Sequence, residues 1–276
     1  MRKATIGIVA IAALTGLPAF AADMPVKAPP PPPVVTPSWT GFYIGASAGY
    51  GWNQGGNIDL ASIGTGNLVI TTPAANAIPA GFDAQPKGFI GGGDIGYNYQ
   101  WRQWVLGIEA DLSGASIKGT AAQTGTATVV SLITFPVNGS AIGEQKLDLF
   151  GTVRGRMGVV AADRLLIYAT GGLAYGHVES NTSTGDVPTQ ATILPAQGST
   201  SGMLAGWTVG GGFEWALAPH WSFKTEYLYY DLGSRTYALS PNVVTSCCTV
   251  TEGTVNSTVS ATFRGSIARV GINYKL

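Results

Sequence analysis

Two histidines are all that this 276-residue chain offers for proton transfer near neutral pH. His220 falls in a short turn between two strand-like segments, where it reads as an interfacial or solvated residue. His177 ends another such segment, beside Glu179 and Ser180. Residues 177 and 179 share one face of a strand, while their immediate neighbours point to the other. A His–Glu pair of this kind becomes hydrolytic machinery only if a Ser reaches it from another strand. A histidine at a loop base is the plainer reading, so no catalytic residue and no enzyme activity are assigned. A binding role for His177 or for loop aromatics stays open as an alternative. The two cysteines, Cys247 and Cys248, are adjacent, so they cannot staple distant segments, and a ring joining them would be strained. No spacing suggests a metal site, and no cofactor is assigned.

The charged side chains are the more informative set. Asp94, Glu109, Asp111, Asp148, Glu214 and Glu226 are matched by Lys146, Arg154, Arg156, Lys224, Arg269 and Lys275. Each sits in a segment of about ten residues that alternates with period two, as a strand with two unlike faces does. Phe42, Ile44, Ala46, Ala48, Tyr50 and Trp52 alternate with Tyr43, Gly45, Ser47, Gly49 and Gly51. Phe89, Ile95, Tyr97 and Tyr99 oppose Ile90, Asp94 and Asn98, and Trp104, Leu106, Ile108 and Leu112 oppose Glu109 and Asp111. Leu147, Leu149, Val153 and Met157 oppose Asp148, Phe150, Thr152, Arg154 and Arg156. Residues 165–175 are apolar enough to leave the facing ambiguous, with Leu165, Ile167, Leu173 and Tyr175 favoured outward. Three more segments set Trp207, Val209, Phe213 and Trp215 against Thr208 and Glu214, Trp221 to Tyr229 against Lys224 and Glu226, and Val270, Ile272 and Tyr274 against Arg269 and Asn273.

No segment carries a charge in the middle of its oily face. A soluble sandwich needs the reverse arrangement, with oily faces inward and charges in water. An all-β, eight-stranded antiparallel transmembrane barrel of the up-and-down type satisfies both faces. Eight strands leave an interior that side chains just fill, whereas a diffusion porin needs about 16 strands. Asp94, Glu109, Asp111, Asp148, Arg154, Arg156, Glu214, Lys224, Glu226 and Arg269 therefore read as a structural lumen network, an ion-pair plug. A gated ion path through that plug is the alternative.

The rest of the chain fits this solvent. Arg2 and Lys3, the apolar run 4–17 and Ala19-Phe20-Ala21 make a signal peptide over residues 1–21. Residues 22–38, with Pro29 to Pro33 in a row, read as a Pro-rich periplasmic linker. The barrel is assigned to 39–276 with four long extracellular loops. Only 11% of residues are charged against 45% hydrophobic, and the net charge is zero, so no nucleic-acid partner is expected. Connections alternate between tight turns near 102–103, 161–163 and 218–220 and loops of very roughly 25 to 35 residues, such as 53–87 and 119–145. The turn ends gather Trp39, Phe42, Tyr97, Tyr99, Trp101, Trp104, Phe213, Trp215, Trp221, Phe223 and Tyr274 as one aromatic girdle.

Six motifs carry a resemblance: Trp39 to Gly45, Gly151 to Gly158, Tyr168 to Gly176, Gly206 to Gly212, Glu226 to Gly233 and Arg269 to Lys275. In this order they resemble the small outer-membrane immunogenic proteins of alphaproteobacteria, OmpA-like eight-stranded surface antigens. The resemblance implies the outer membrane of a Gram-negative bacterium, surface exposure, and an envelope-integrity or host-interaction role. It implies as partners outer-membrane lipid and lipopolysaccharide, the barrel-assembly machinery and periplasmic chaperones during biogenesis, and host-surface ligands. It implies Tyr274 and Leu276 as the insertion signal, although the family usually ends in Phe. Similar proteins bind haemin, but no haem-ligand motif matches here.

Overall fold

The computed structural model describes residues 38–53, 57–131, 134–185, 191–246 and 251–276. The segment read as a signal peptide, nearly all of the segment read as a Pro-rich linker, and Cys247 and Cys248 lie outside the described residues. Among the described residues, twelve strands and one helix follow in order: β1 (Gly41–Asn53), β2 (Asn57–Gly66), α1 (Leu68–Ala77), β3 (Gly81–Asp83), β4 (Lys87–Trp101), β5 (Trp104–Val130), β6 (Thr134–Ala162), β7 (Leu165–Gly185), β8 (Ala191–Ile193), β9 (Ala196–Ala216), β10 (Trp221–Ala238), β11 (Asn242–Ser246) and β12 (Thr251–Lys275).

Eight of them close a ring in the order β1-β4-β5-β6-β7-β9-β10-β12, every pairing antiparallel. The seam runs from Tyr43↔Lys275 to Asn53↔Gly265, so no ring strand is left with an open edge over that length. The oily faces point out of the ring as the alternation demands: Phe42, Phe89, Ile108, Val153, Leu173 and Trp207 are all exposed. Their sequence neighbours Tyr43, Ile90, Glu109, Arg154, Ala174 and Thr208 are buried inside.

Three departures from the sequence reading stand out. First, the long connections are not irregular. β5 and β6 run 27 and 29 residues, about 90 Å of strand each at ~3.3 Å per residue. A bilayer needs only about 9–11 residues per strand. The excess rises past the ring's oily belt as a paired hairpin, from Ile117↔Leu147 to Val130↔Thr134. Segment 53–87 contributes β2, which pairs with β12, and the helix α1, which Asn67 starts by accepting from the Val69 N–H. Together they enclose a separate apolar core of Ile58, Leu60, Ala74, Ile78, Val129, Val137, Val244 and Val259. Its inward positions include small residues such as Ala121, Gly125, Ala141 and Gly143, and its outward ones are largely Thr in β5 and a mixture such as Asn138, Ser140 and Ile142 in β6, which blurs the alternation in the sequence.

Second, Trp39 does not join the aromatic girdle. Its side chain is buried against Val105, Leu166, Tyr168 and Ala216, closing the lumen at the turn end. The rest of that rim is as expected, with Phe42, Tyr99, Trp101, Trp104, Phe213, Trp215 and Trp221 exposed. Third, an apolar layer fills the lumen on the far side of the charges. Ile90, Ile117, Leu147, Phe150, Leu228, Tyr230 and Ile267 belong to it, and the Phe150 and Tyr230 rings pack at 5.0 Å.

Candidate functional site

Between the two apolar layers, β4, β5, β6, β9, β10 and β12 deliver the charged side chains to one level. Arg154 stands at the centre. Its Nη2 meets Glu109 at 2.5 Å and Asp111 at 3.1 Å, and its Nη1 meets Glu226 at 2.8 Å. Arg269 bridges Asp111 at 3.2 Å and Glu226 at 2.6 Å. Arg156 pairs with Glu214 at 2.9 Å, and Lys224 with Glu109 and Asp94, both at 3.2 Å. The structure thus brings together Asp94, Glu109, Asp111, Arg154, Arg156, Glu214, Lys224, Glu226 and Arg269, with each ionic side chain at most 4% exposed. Five carboxylates face four cations, and each of the four cations is shared between two or more acids.

Uncharged groups complete the network. The Tyr43 hydroxyl donates to Glu109 at 2.7 Å and accepts from Arg156 at 3.0 Å. The Arg156 guanidinium also lies 4.0 Å from the Tyr168 ring centroid, and the Tyr168 hydroxyl donates to Glu226. Thr152 donates to Asp111, Ser222 to Glu214, and Asn273 to Glu214 at 3.0 Å. Tyr43, Thr152 and Asn273 lie in the inward set of their segments, so alternation alone identifies them as neighbours of the charges. Tyr168 belongs to the segment whose facing the sequence leaves open. Gly96 is required opposite Tyr43, because a Cβ there would collide with the tyrosine hydroxyl.

Asp148 is not part of this network, and the reason is local. β6 slips register between Leu147 and Leu149 against β7. The β-bulge re-aims the chain. Leu147, grouped by strict alternation with the outward residues, turns inward and is buried, while Asp148 lies beside His177. Lys146 and Lys275 also depart from the inward set. Lys146 is half-exposed and pairs with Glu179 at 3.3 Å and with Asp148 at 3.5 Å. Lys275 is at the turn end, donating to the Ser38 carbonyl.

This second cluster joins three adjacent strands. His177 Nδ1 is 2.9 Å from Asp148 Oδ1, and His177 Nε2 is 3.2 Å from Ser201 Oγ. Ser201 comes from β9, two residues from Met203, the register partner of His177. Ser180, by contrast, is buried and bonds the Tyr237 hydroxyl. Asp148, His177 and Glu179 hold three potential ligand atoms within 4.8 Å of one another. The Lys146 ammonium already shared by both carboxylates opposes a further cation there. His220 bonds the Lys275 carbonyl at 3.0 Å and stacks near Tyr274 at the turn end. Tyr274 packs on Trp221 at 4.9 Å, and Leu276 is exposed.

Residues 8–275 match the family described as outer membrane protein beta-barrel domain. The 31 kDa outer-membrane immunogenic protein of Brucella melitensis is 37% identical over 272 residues, covering 97% of this chain and 98% of that one. The 22 kDa outer membrane protein of Rhizobium leguminosarum bv. viciae is 29% identical over 204 residues, 73% of this chain and 68% of its own. Among solved structures, OprG from Pseudomonas aeruginosa aligns over 87% of this chain and 98% of its own, at 12% identity and a TM-score of 0.39. With its oily outer wall, its closed eight-stranded ring and a family match along nearly its whole length, this chain belongs to the outer-membrane β-barrel proteins and resides in the outer membrane of a Gram-negative bacterium.

Proposed function

We propose that the protein is a closed, non-conducting barrel that supports envelope integrity and holds a β-built headpiece at the cell surface. The doubly sealed lumen carries this reading. A buried ion-pair layer and an apolar layer lie in series, and water would have to cross both. The turns and both described ends lie at the periplasmic rim, and β2, α1 and the upper parts of β5, β6 and β12 form the extracellular part. That headpiece has its own apolar core, so the surface it offers to host molecules or antibodies is shaped. Its lipid partners are outer-membrane lipid and lipopolysaccharide. The barrel-assembly machinery and periplasmic chaperones deliver it, with Tyr274 and Leu276 as the insertion signal. His177 is a poor haem ligand as folded, because both of its ring nitrogens already have partners.

Two measurements test this reading. Purified folded protein in a planar bilayer gives no porin-sized single-channel steps; a large stable open state refutes the closed lumen. Deleting the gene raises detergent sensitivity or vesicle release; an unchanged envelope refutes the integrity role.

A further inference from the structure

We propose that Ser201, His177 and Asp148 form an acyl-ester hydrolase site on the outer wall of the barrel, acting on lipids of the outer leaflet. The arrangement depends on the β6 bulge. Without it, Asp148 would follow Phe150 into the lumen, and His177 would lack an acid. Bulges recur beside active sites, where they re-aim a side chain at the cost of a local break in the ladder. An ionised carboxylate only accepts hydrogen bonds, so Asp148 holds the imidazole proton on Nδ1. The lone pair of Nε2 then faces the Ser201 hydroxyl 3.2 Å away, within reach for a general base. A nucleophile, a base and an orienting acid are therefore linked in that order, with His177 and Asp148 about one-third exposed and Ser201 exposed.

Position selects the substrate class. Level with His177 on the same wall stands Met203, and below it Leu173 and Trp207, all exposed and apolar. At and above it come Lys146, Glu179 and Asn181. The site thus sits where oily surface gives way to polar surface, the level at which a membrane lipid carries its ester bonds. A furrow of small side chains, including Ala48, Gly91, Gly114 and Ala115, with Tyr50 and Phe89 beside it, runs along the lipid-facing wall to Asp148. Its mostly small and apolar lining on the lipid side suits an acyl chain.

In the reaction, Ser201 Oγ bonds to the ester carbonyl carbon while its proton passes to His177 Nε2. The carbonyl–alkoxy bond then breaks, and the departing alcohol takes that proton. Water attacks the acyl-serine, gives a proton to His177, and the fatty acid leaves as Ser201 recovers its hydrogen. The net change is ester plus water to alcohol plus acid.

The full mature chain, refolded in detergent and checked for folding by its heat-shifted gel mobility, tests this with a long-chain fluorophosphonate and peptide mass spectrometry. The adduct is expected on Ser201, absent in Ser201→Ala, and formed at least about 100-fold more slowly in His177→Gln. Ser180→Ala, on the lumen side, labels like the parent. Fatty acid release is then read from phospholipid vesicles and from the same vesicles carrying lipopolysaccharide. Release from the first assigns a phospholipid ester, and release only from the second assigns a lipid A ester. An unlabelled Ser201 in folded protein, equal labelling in folded His177→Gln, or no fatty acid from either vesicle overturns the proposal.

Discussion

Replacing Arg154 with Met tests how the barrel interior is held. Arg154 touches Glu109, Asp111 and Glu226 and is 1% exposed, while Met fills comparable space without charge. The three acids do not become orphans equally. Glu109 keeps Lys224 at 3.2 Å, Asp111 keeps Arg269 at 3.2 Å, and Glu226 keeps Arg269 at 2.6 Å. The layer instead moves from five carboxylates and four cations to five and three. Breaking a buried pair from one side costs about 3–5 kcal/mol, mostly the penalty of the uncompensated charge. We expect that loss in urea unfolding from lipid vesicles, with the m-value unchanged. Adding Glu226→Gln restores an excess of one carboxylate, so Arg154→Met with Glu226→Gln should sit within about 2 kcal/mol of the parent. Equal or greater destabilisation of the double variant would refute the charge-balance argument, as would a single variant costing under about 1 kcal/mol.

Other consequences follow from the same geometry. Arg154→Ala leaves conductance low because Phe150, Tyr230 and Ile267 still seal the lumen, while adding Phe150→Ala and Tyr230→Ala opens measurable ion flow in planar bilayers. Val153→Arg, one residue away but on the exposed wall, costs about 2–4 kcal/mol on transfer into lipid. Gly96→Val drives the Tyr43 hydroxyl off Glu109 and Arg156, lowering the unfolding midpoint more than Gly93→Val, whose added side chain meets open wall. Asn67→Ala removes the cap of α1, loosening that helix by about 1 kcal/mol in hydrogen exchange while the barrel's own midpoint holds.

The legible and illegible parts of the chain divide by what each strand has behind it. Inside the bilayer, one face meets lipid and the other a packed lumen, so alternation is enforced residue by residue and Arg154 can be told from Val153 at sight. Nine of the ten lumen residues named from sequence meet at one level for that reason. Above the bilayer, both faces tolerate Thr, Gly and Ala, and strands of the β5–β6 hairpin read as loops. A bulge defeats the method more sharply. The one-residue slip at Asp148 leaves no mark in composition, yet it moves a carboxylate from the lumen to His177.

Sequence alone determined the solvent, the eight strands of the ring and most of the inward charges, because a period of two under a hydrocarbon slab admits few alternatives. Tertiary structure decided what meets what. The partner of each acid, the second apolar seal, the folded headpiece and the convergence of Ser201, His177 and Asp148 all depend on register between strands. Register is a relation between segments far apart in the chain, and no single segment encodes it.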